Sequence, residues 1–181
     1  MKDTGITRRI DELGRVVIPR ELRKTFRMKE GDPLEFYTDS DQLIIRKYSP
    51  IASVESGAKD IADSIVELAE KTCIIVDNDK VIYVSSNKLK ELESKEISLE
   101  LSNALVERKS LVLSRADGGQ VLPIIDEDNL DIENQLIVPI MARGDVFGGV
   151  ILFDNDKENR FGCADVKFVK LGATLLAKQF E

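Results

Sequence analysis

Arg8, Arg9, Arg15, Arg20, Arg23, Lys24 and Arg27 are threaded through Ile6, Ile10, Val16, Val17 and Ile18 near the start of the chain. The chemistry open to them is ionic. A guanidinium presents a planar fork of N–H donors that matches phosphate or carboxylate, and an ammonium acts as a point charge. The same chain contains no His, which removes the commonest general base, the Ser-His-Asp and Cys-His nucleophile systems, and zinc sites with His ligands. Its two cysteines, Cys73 and Cys163, form neither a C-x-x-C pair nor a metal cluster, and a disulfide framework is not indicated. Cys73 opens the apolar run CIIV and reads as core, while Cys163 stands at an expected helix start, where a thiol pKa can fall. The expectation is therefore a protein with no catalytic residues, no metal and no cofactor.

The cations run against the balance of the whole. Formal net charge is -7, yet residues 1–50 hold 11 basic against 9 acidic residues, residues 1–27 hold 8 against 4, and residues 51–181 hold 15 against 24. A basic head on an acidic body points to a polyanion partner. Hydrophobic residues at 43% and charged residues at 33% describe a folded chain with a solvated surface. No apolar run, Leu136–Ala142 included, approaches the roughly 20 residues that span a bilayer. The amino terminus, MKDTGITRRIDE, has no apolar signal core. The expected location is the cytoplasm, away from membrane.

Elements must place these cations. Ile6–Asp11 and Arg15–Ile18 are β-branched-rich segments around Glu12-Leu13-Gly14, which predicts two strands and a tight turn. Pro19 at a first helical position followed by RELRKTFR predicts a short helix, with Leu22 and Phe26 facing the core together. PLEFYTD and QLIIRKY around Ser40-Asp41 predict a hairpin. The order β-β-α-β-β in fifty residues is too small to bury a core alone and contains no metal or disulfide, so two copies are expected to interlace. Arg8, Arg9, Arg15, Arg20, Arg23, Lys24 and Arg27 would then appear twice about a two-fold axis. Strict alternation places Arg8 on the face of Ile6 and Ile10, which leaves open the side that is buried. Pairing of these cations with Glu12 and Glu21 is the other reading.

Tyr48-Ser49-Pro50 marks the expected domain boundary. Beyond it, SVESGAKDIADSIVELAEKT carries Ala58, Ile61, Ala62, Ile65, Leu68 and Ala69 at helical spacing. Strands are expected at CIIVDND and KVIYVSS, helices at NKLKELES and SLELSNALVERK, and strands at SLVLSRAD, QVLPIID, QLIVPIMA and VFGGVILF. A final helix from about Ala164 to Phe180 has apolar residues nearly all round and is expected to be covered on two sides. Together these give an α+β domain, an antiparallel sheet flanked by helices. Gly148-Gly149 do not complete G-x-G-x-x-G and read as close-packing positions. DNDKENRFGCAD has Asn159 where a calcium loop needs Gly and Asp165 at its twelfth position, so it reads as an ordinary acidic loop.

The stretch GITRRIDELGRVVIPRELRKTFRMKEGDPLEFY resembles the AbrB-type DNA-binding domain of bacterial transition-state regulators, on the run from Gly14 to Arg23 above all. The resemblance implies a swapped-hairpin, β-barrel-like dimer over residues 1–50 that binds double-stranded DNA through Arg8, Arg15 and Arg23, assisted by Arg9 and Lys24. Related folds occur in antitoxins, which bind DNA and neutralise a toxin. Residues 51–181, with the VDND turn, IVPIMARGDVFGGVILF and the closing helix, resemble a GAF domain, a module that senses small ligands or mediates assembly. Asn87-Lys88 continues as LKELES, which departs from cyclic-nucleotide GAF domains, so the effector and its binding residues stay unknown. The joined arrangement is similar to that of sporulation regulators and implies a homotetramer through the GAF-like domains.

Overall fold

The computed structural model describes residues 4–49, 51, 55–126 and 130–180. Pro50 and the expected helix start at Ser53-Val54 lie outside them. The chain divides into two compact units, Met1–Tyr48 and Ser49–Glu181.

In the first unit, α1 (Arg20–Thr25) precedes a hairpin of β1 (Leu34–Asp39) and β2 (Gln42–Lys47), paired antiparallel from Leu34↔Lys47 to Asp39↔Gln42. Pro19 caps α1 from outside rather than opening it. Gly14 stands at φ 75 and donates to the Asp11 carbonyl at 3.0 Å, so the expected turn forms. The expected strands around it do not. Ile6–Asp11 and Arg15–Ile18 carry no strand ladder among the described residues. They meet at the turn, where Asp11 N–H donates to the Arg15 carbonyl at 3.1 Å and Arg15 returns bonds to the Asp11 carboxylate. Among the described residues no barrel closes in one chain. Phe26, expected in a core, is 56% exposed, and α1 buries none of its residues.

The second unit contains α2 (Glu55–Ala69), β3 (Thr72–Asp77), β4 (Val81–Val84), a 3-10 helix at Asn87–Leu92, α3 (Leu99–Val106), β5 (Leu111–Ser114), a 3-10 turn at Arg115–Asp117, β6 (Asn134–Ala142), β7 (Asp145–Asp154) and α4 (Cys163–Lys178). NKLKELES is thus a tighter helix than expected. The five strands pair antiparallel in the order β4-β3-β7-β6-β5. Alternation along the strands splits their side chains between two cores. Ile75, Leu136, Val138, Val150 and Leu152 meet Ala62 and Ile65 of α2 and Val169, Ala173 and Leu176 of α4. Ile74, Val76, Ile137 and Ile151 meet Leu101 and Leu105 of α3 and Ile124. Both sheet faces are covered, which is why β6 and β7 read as continuous apolar runs.

Gly148 shows why a side chain is excluded there: at φ 152, a Cβ would collide with the Val76 carbonyl oxygen of the neighbouring strand. The pair Gly148-Gly149 is a packing device, as its sequence context indicated. QVLPIID, expected as a strand, is not one. The Gln135 side chain accepts from Leu122 N–H at 2.8 Å and donates to its carbonyl at 2.9 Å, while Ser98 donates through Oγ to the Pro123 carbonyl and through its N–H to that of Ile124. These bonds replace a ladder. The closing helix is covered on one side only, for Leu171 and Leu175 are 58% and 45% exposed. The architecture is α+β throughout, as expected.

Candidate nucleic-acid interface

The basic residues of the first unit sit on two local scaffolds. One is the turn at Asp11–Arg15. Asp11 Oδ1 accepts the N–H groups of Leu13 and Arg15, both at 2.9 Å, and its Oδ2 holds Arg15 Nε at 2.7 Å. A single carboxylate therefore closes the turn as an Asx motif and fixes the guanidinium that follows it. Because Nε makes this bond, the terminal Nη groups of Arg15 point to solvent chemistry, with the side chain 71% exposed. Hydrogen bonds from the Arg15 backbone and guanidinium, and then from Leu13, hold the Asp11 carboxyl below its ordinary pKa.

The other scaffold is α1. Arg20, Arg23 and Lys24, at i, i+3 and i+4, share one helical face. The helix ends in a Schellman arrangement, with Arg27 at φ 49 donating to the Lys24 carbonyl at 3.2 Å and Met28 donating to that of Arg23 at 2.7 Å. This fixes the exit of the chain without glycine.

Arg8, Arg9, Arg15, Arg23 and Lys24 are all exposed. Arg8 bonds locally, Nη1 to the Thr7 carbonyl at 3.0 Å. Arg9, Arg23 and Lys24 carry no ion pair among the described residues, and neither Glu12 nor Glu21 takes the pairing role that the sequence left open. The residue that sequence reasoning missed is Asp11. Its signal was present as Asp-x-x-Gly-Arg, the spacing at which an aspartate closes a turn and meets a cation four residues on. The hairpin adds an uncovered apolar face: Phe36 and Leu43, on the same side through the pairs Phe36↔Ile45 and Thr38↔Leu43, are 62% and 63% exposed.

In the second unit, Asp154 and Asp156 of the acidic loop spend their carboxylates on its own backbone and side chains. Asp154 accepts from Asp156 N–H and from Asn159 Nδ2, and Asp156 accepts from Glu158 N–H. Cys73 is fully buried and Cys163 exposed. Burial pushes the Cys73 thiol up to about 12, with Asp63 adding to the shift.

Comparison with known proteins follows the same division. The family model described as the stage V sporulation protein T C-terminal transcription factor matches residues 54–181, and one described as the MazE bacterial antitoxin matches residues 7–53. Stage V sporulation protein T of Bacillus subtilis (strain 168) is 41% identical over 182 residues, covering 100% of this chain and 99% of that protein. The transition state regulatory protein AbrB of the same organism is 38% identical over 95 residues, 51% of this chain and 98% of AbrB. The GAF-B domain of DevS from Mycobacterium smegmatis shares the fold of the second unit, with a TM-score of 0.55 at 15% identity over 69% of this chain and 90% of that domain. An AbrB-like basic head joined to a GAF-like sheet, related along its whole length to a sporulation regulator, places this chain in the stage V sporulation protein T family of transcription factors.

Proposed function

We propose that the protein regulates transcription of sporulation genes in the cytoplasm by gripping duplex DNA with two copies of residues 1–50, each offering Arg8, Arg9, Arg15, Arg23 and Lys24. The observation that carries this reading is the exposure of all five cations on a unit whose apolar hairpin face and unpaired segments 6–11 and 15–18 lack cover in one chain. A second copy offers that cover, and the two sets of cations then straddle a double helix about one axis. Contacts to phosphates supply most of the affinity, while DNA shape and some guanine edges supply selectivity.

If a dimer neutralises about six to eight phosphates, log K falls with log salt at a slope near -5 to -7. Fluorescence anisotropy with a labelled duplex across a salt series measures it. Replacing Arg8, Arg15 and Arg23 together by Ala is expected to flatten the slope and weaken binding; an unchanged slope removes the site assignment.

Residues 51–181 act in this reading as the GAF-like domain that assembles dimers into tetramers and senses a small effector. The uncovered apolar residues Leu171 and Leu175 on α4 and Leu68 on α2, the last at 62% exposure, support the assembly role. The antitoxin reading draws on the MazE likeness over residues 7–53. It requires a disordered or helical arm, whereas the remainder here is a five-stranded domain.

A further inference from the structure

β5 pairs only the first part of β6, from Ser114↔Asn134 to Leu111↔Ile137, so among the described residues Val138–Ala142 have no strand on that side. Pro139, which lacks an N–H, stands in this stretch, where a proline leaves no donor wanting. A groove of about 390 Å³ opens there between β6 and α4. On α4 its wall is Lys170, Ala173, Thr174, Ala177 and Lys178, a single flank at i, i+3, i+4, i+7 and i+8. The small residues at 173, 174 and 177 leave the space that larger side chains would fill. Val138 and Pro139 give it an apolar floor, and Met141 a softer edge. The flank is distinct from the exposed Leu171 and Leu175 on the same helix.

Across the groove stands Arg108. It follows the end of α3 at φ 61 and donates its N–H to the Leu105 carbonyl at 3.0 Å. Glycine is the usual occupant of such a left-handed helix exit, yet here the position carries a guanidinium. Lys178 alone would be the ordinary cation of a last helical turn. Three cations, Arg108, Lys170 and Lys178, share the lining with no carboxylate, and none has an ion pair among the described residues. They do so in residues 51–181, where acids outnumber bases 24 to 15. An apolar floor rimmed by three cations without an ion pair among the described residues, in a volume within the range of small-molecule sites, selects a ligand with an apolar body and an anionic head.

We infer that this groove binds a small organic carboxylate, its head held by Arg108, Lys170 and Lys178 and its aliphatic body laid on Val138, Pro139 and Ala173. That such binding alters DNA affinity rests on the regulatory reading above; the site does not. Isothermal titration of the full chain with sodium octanoate tests it, with octylamine and inorganic phosphate as companions. Saturable binding of octanoate, none of octylamine, and weaker binding of phosphate are expected. Lys170→Glu with Lys178→Glu, both exposed positions, should weaken octanoate by about tenfold or more, the worth of a charge-assisted hydrogen bond, and Thr174→Trp should abolish it by filling the space. Circular dichroism checks that each variant stays folded. Absence of octanoate binding, affinity indifferent to these variants, or phosphate binding as tightly as octanoate overturns the inference. A change of oligomeric state in the double Glu variant without octanoate binding to the parent assigns the groove to a second copy and also overturns it. Octanoate binding at the groove with unchanged duplex affinity leaves the site standing and removes only its link to DNA.

Discussion

Asp11 shows how one carboxylate can set the geometry of a cationic surface. With Oδ1 on two backbone N–H groups and Oδ2 on Arg15 Nε, it couples turn closure to guanidinium orientation. Asp11→Asn keeps an acceptor for the backbone and loses the ion pair, whereas Asp11→Ala loses both. Anisotropy with specific and scrambled duplexes is expected to show a severalfold smaller specificity ratio for Asn and a greater loss for Ala. Its depressed pKa has a definite sign: the turn's stabilisation is present above the ordinary value of 3.8 and is lost as pH falls through the lower folded value. Carboxyl NMR titration should therefore find a midpoint below 3.8, and a midpoint at or above it contradicts the geometry. The cysteines divide as cleanly. Native protein at pH 8 is expected to react with a thiol reagent at Cys163 alone, since Cys73 is sealed and its thiol pushed up to about 12; two fast equivalents would refute this.

Elements with strong periodicity or an internal turn declared themselves. The hairpin β1–β2, the β6–β7 pair with Arg143-Gly144 at positive φ, and helices α2 and α4 follow from alternation, turn residues and heptad-like spacing. The segment from Val121 to Asp126 did not. Its β-branched composition favours a strand, but tertiary partners satisfy its backbone first: Gln135 takes both polar groups of Leu122 and Ser98 takes two carbonyls beyond. Gln135 is fully buried, so Gln135→Ala should cost about 1–3 kcal/mol for the backbone groups left wanting, read as a lower urea midpoint with unchanged slope. A cost near zero would mean that water serves Leu122 equally well. Likewise α4 looks apolar all round in sequence, yet one chain covers a single side of it.

At the scale of the whole molecule, two of the uncovered apolar surfaces among the described residues are the head hairpin and the stripe of α4. Self-association buries both if each unit pairs with its own kind, giving a two-fold DNA grip multiplied through the body. Leu171→Glu with Leu175→Glu places charges on the second surface and leaves the first intact. If the proposed tetramer forms, this variant is expected to leave a dimer that still binds duplex with lower avidity on paired sites, as read by sedimentation equilibrium. A variant that remains tetrameric would move the assembly surface elsewhere.

The division of labour between chain and fold has a physical basis. Charge asymmetry, the absence of imidazole, the Gly14 turn, the cationic positions 8, 9, 15, 23 and 24, and the apolar runs of the central strands are local properties, and local composition and spacing suffice to reveal them. Whether a β-rich segment becomes a strand depends on which group reaches its backbone first, and which side of a helix stays dry depends on what packs there. The Asp11 clamp, the side-chain bonds along residues 122–124, and the gathering of Arg108, Lys170 and Lys178 beside the open edge of β6 join residues through three-dimensional proximity, so only the folded chain decides them.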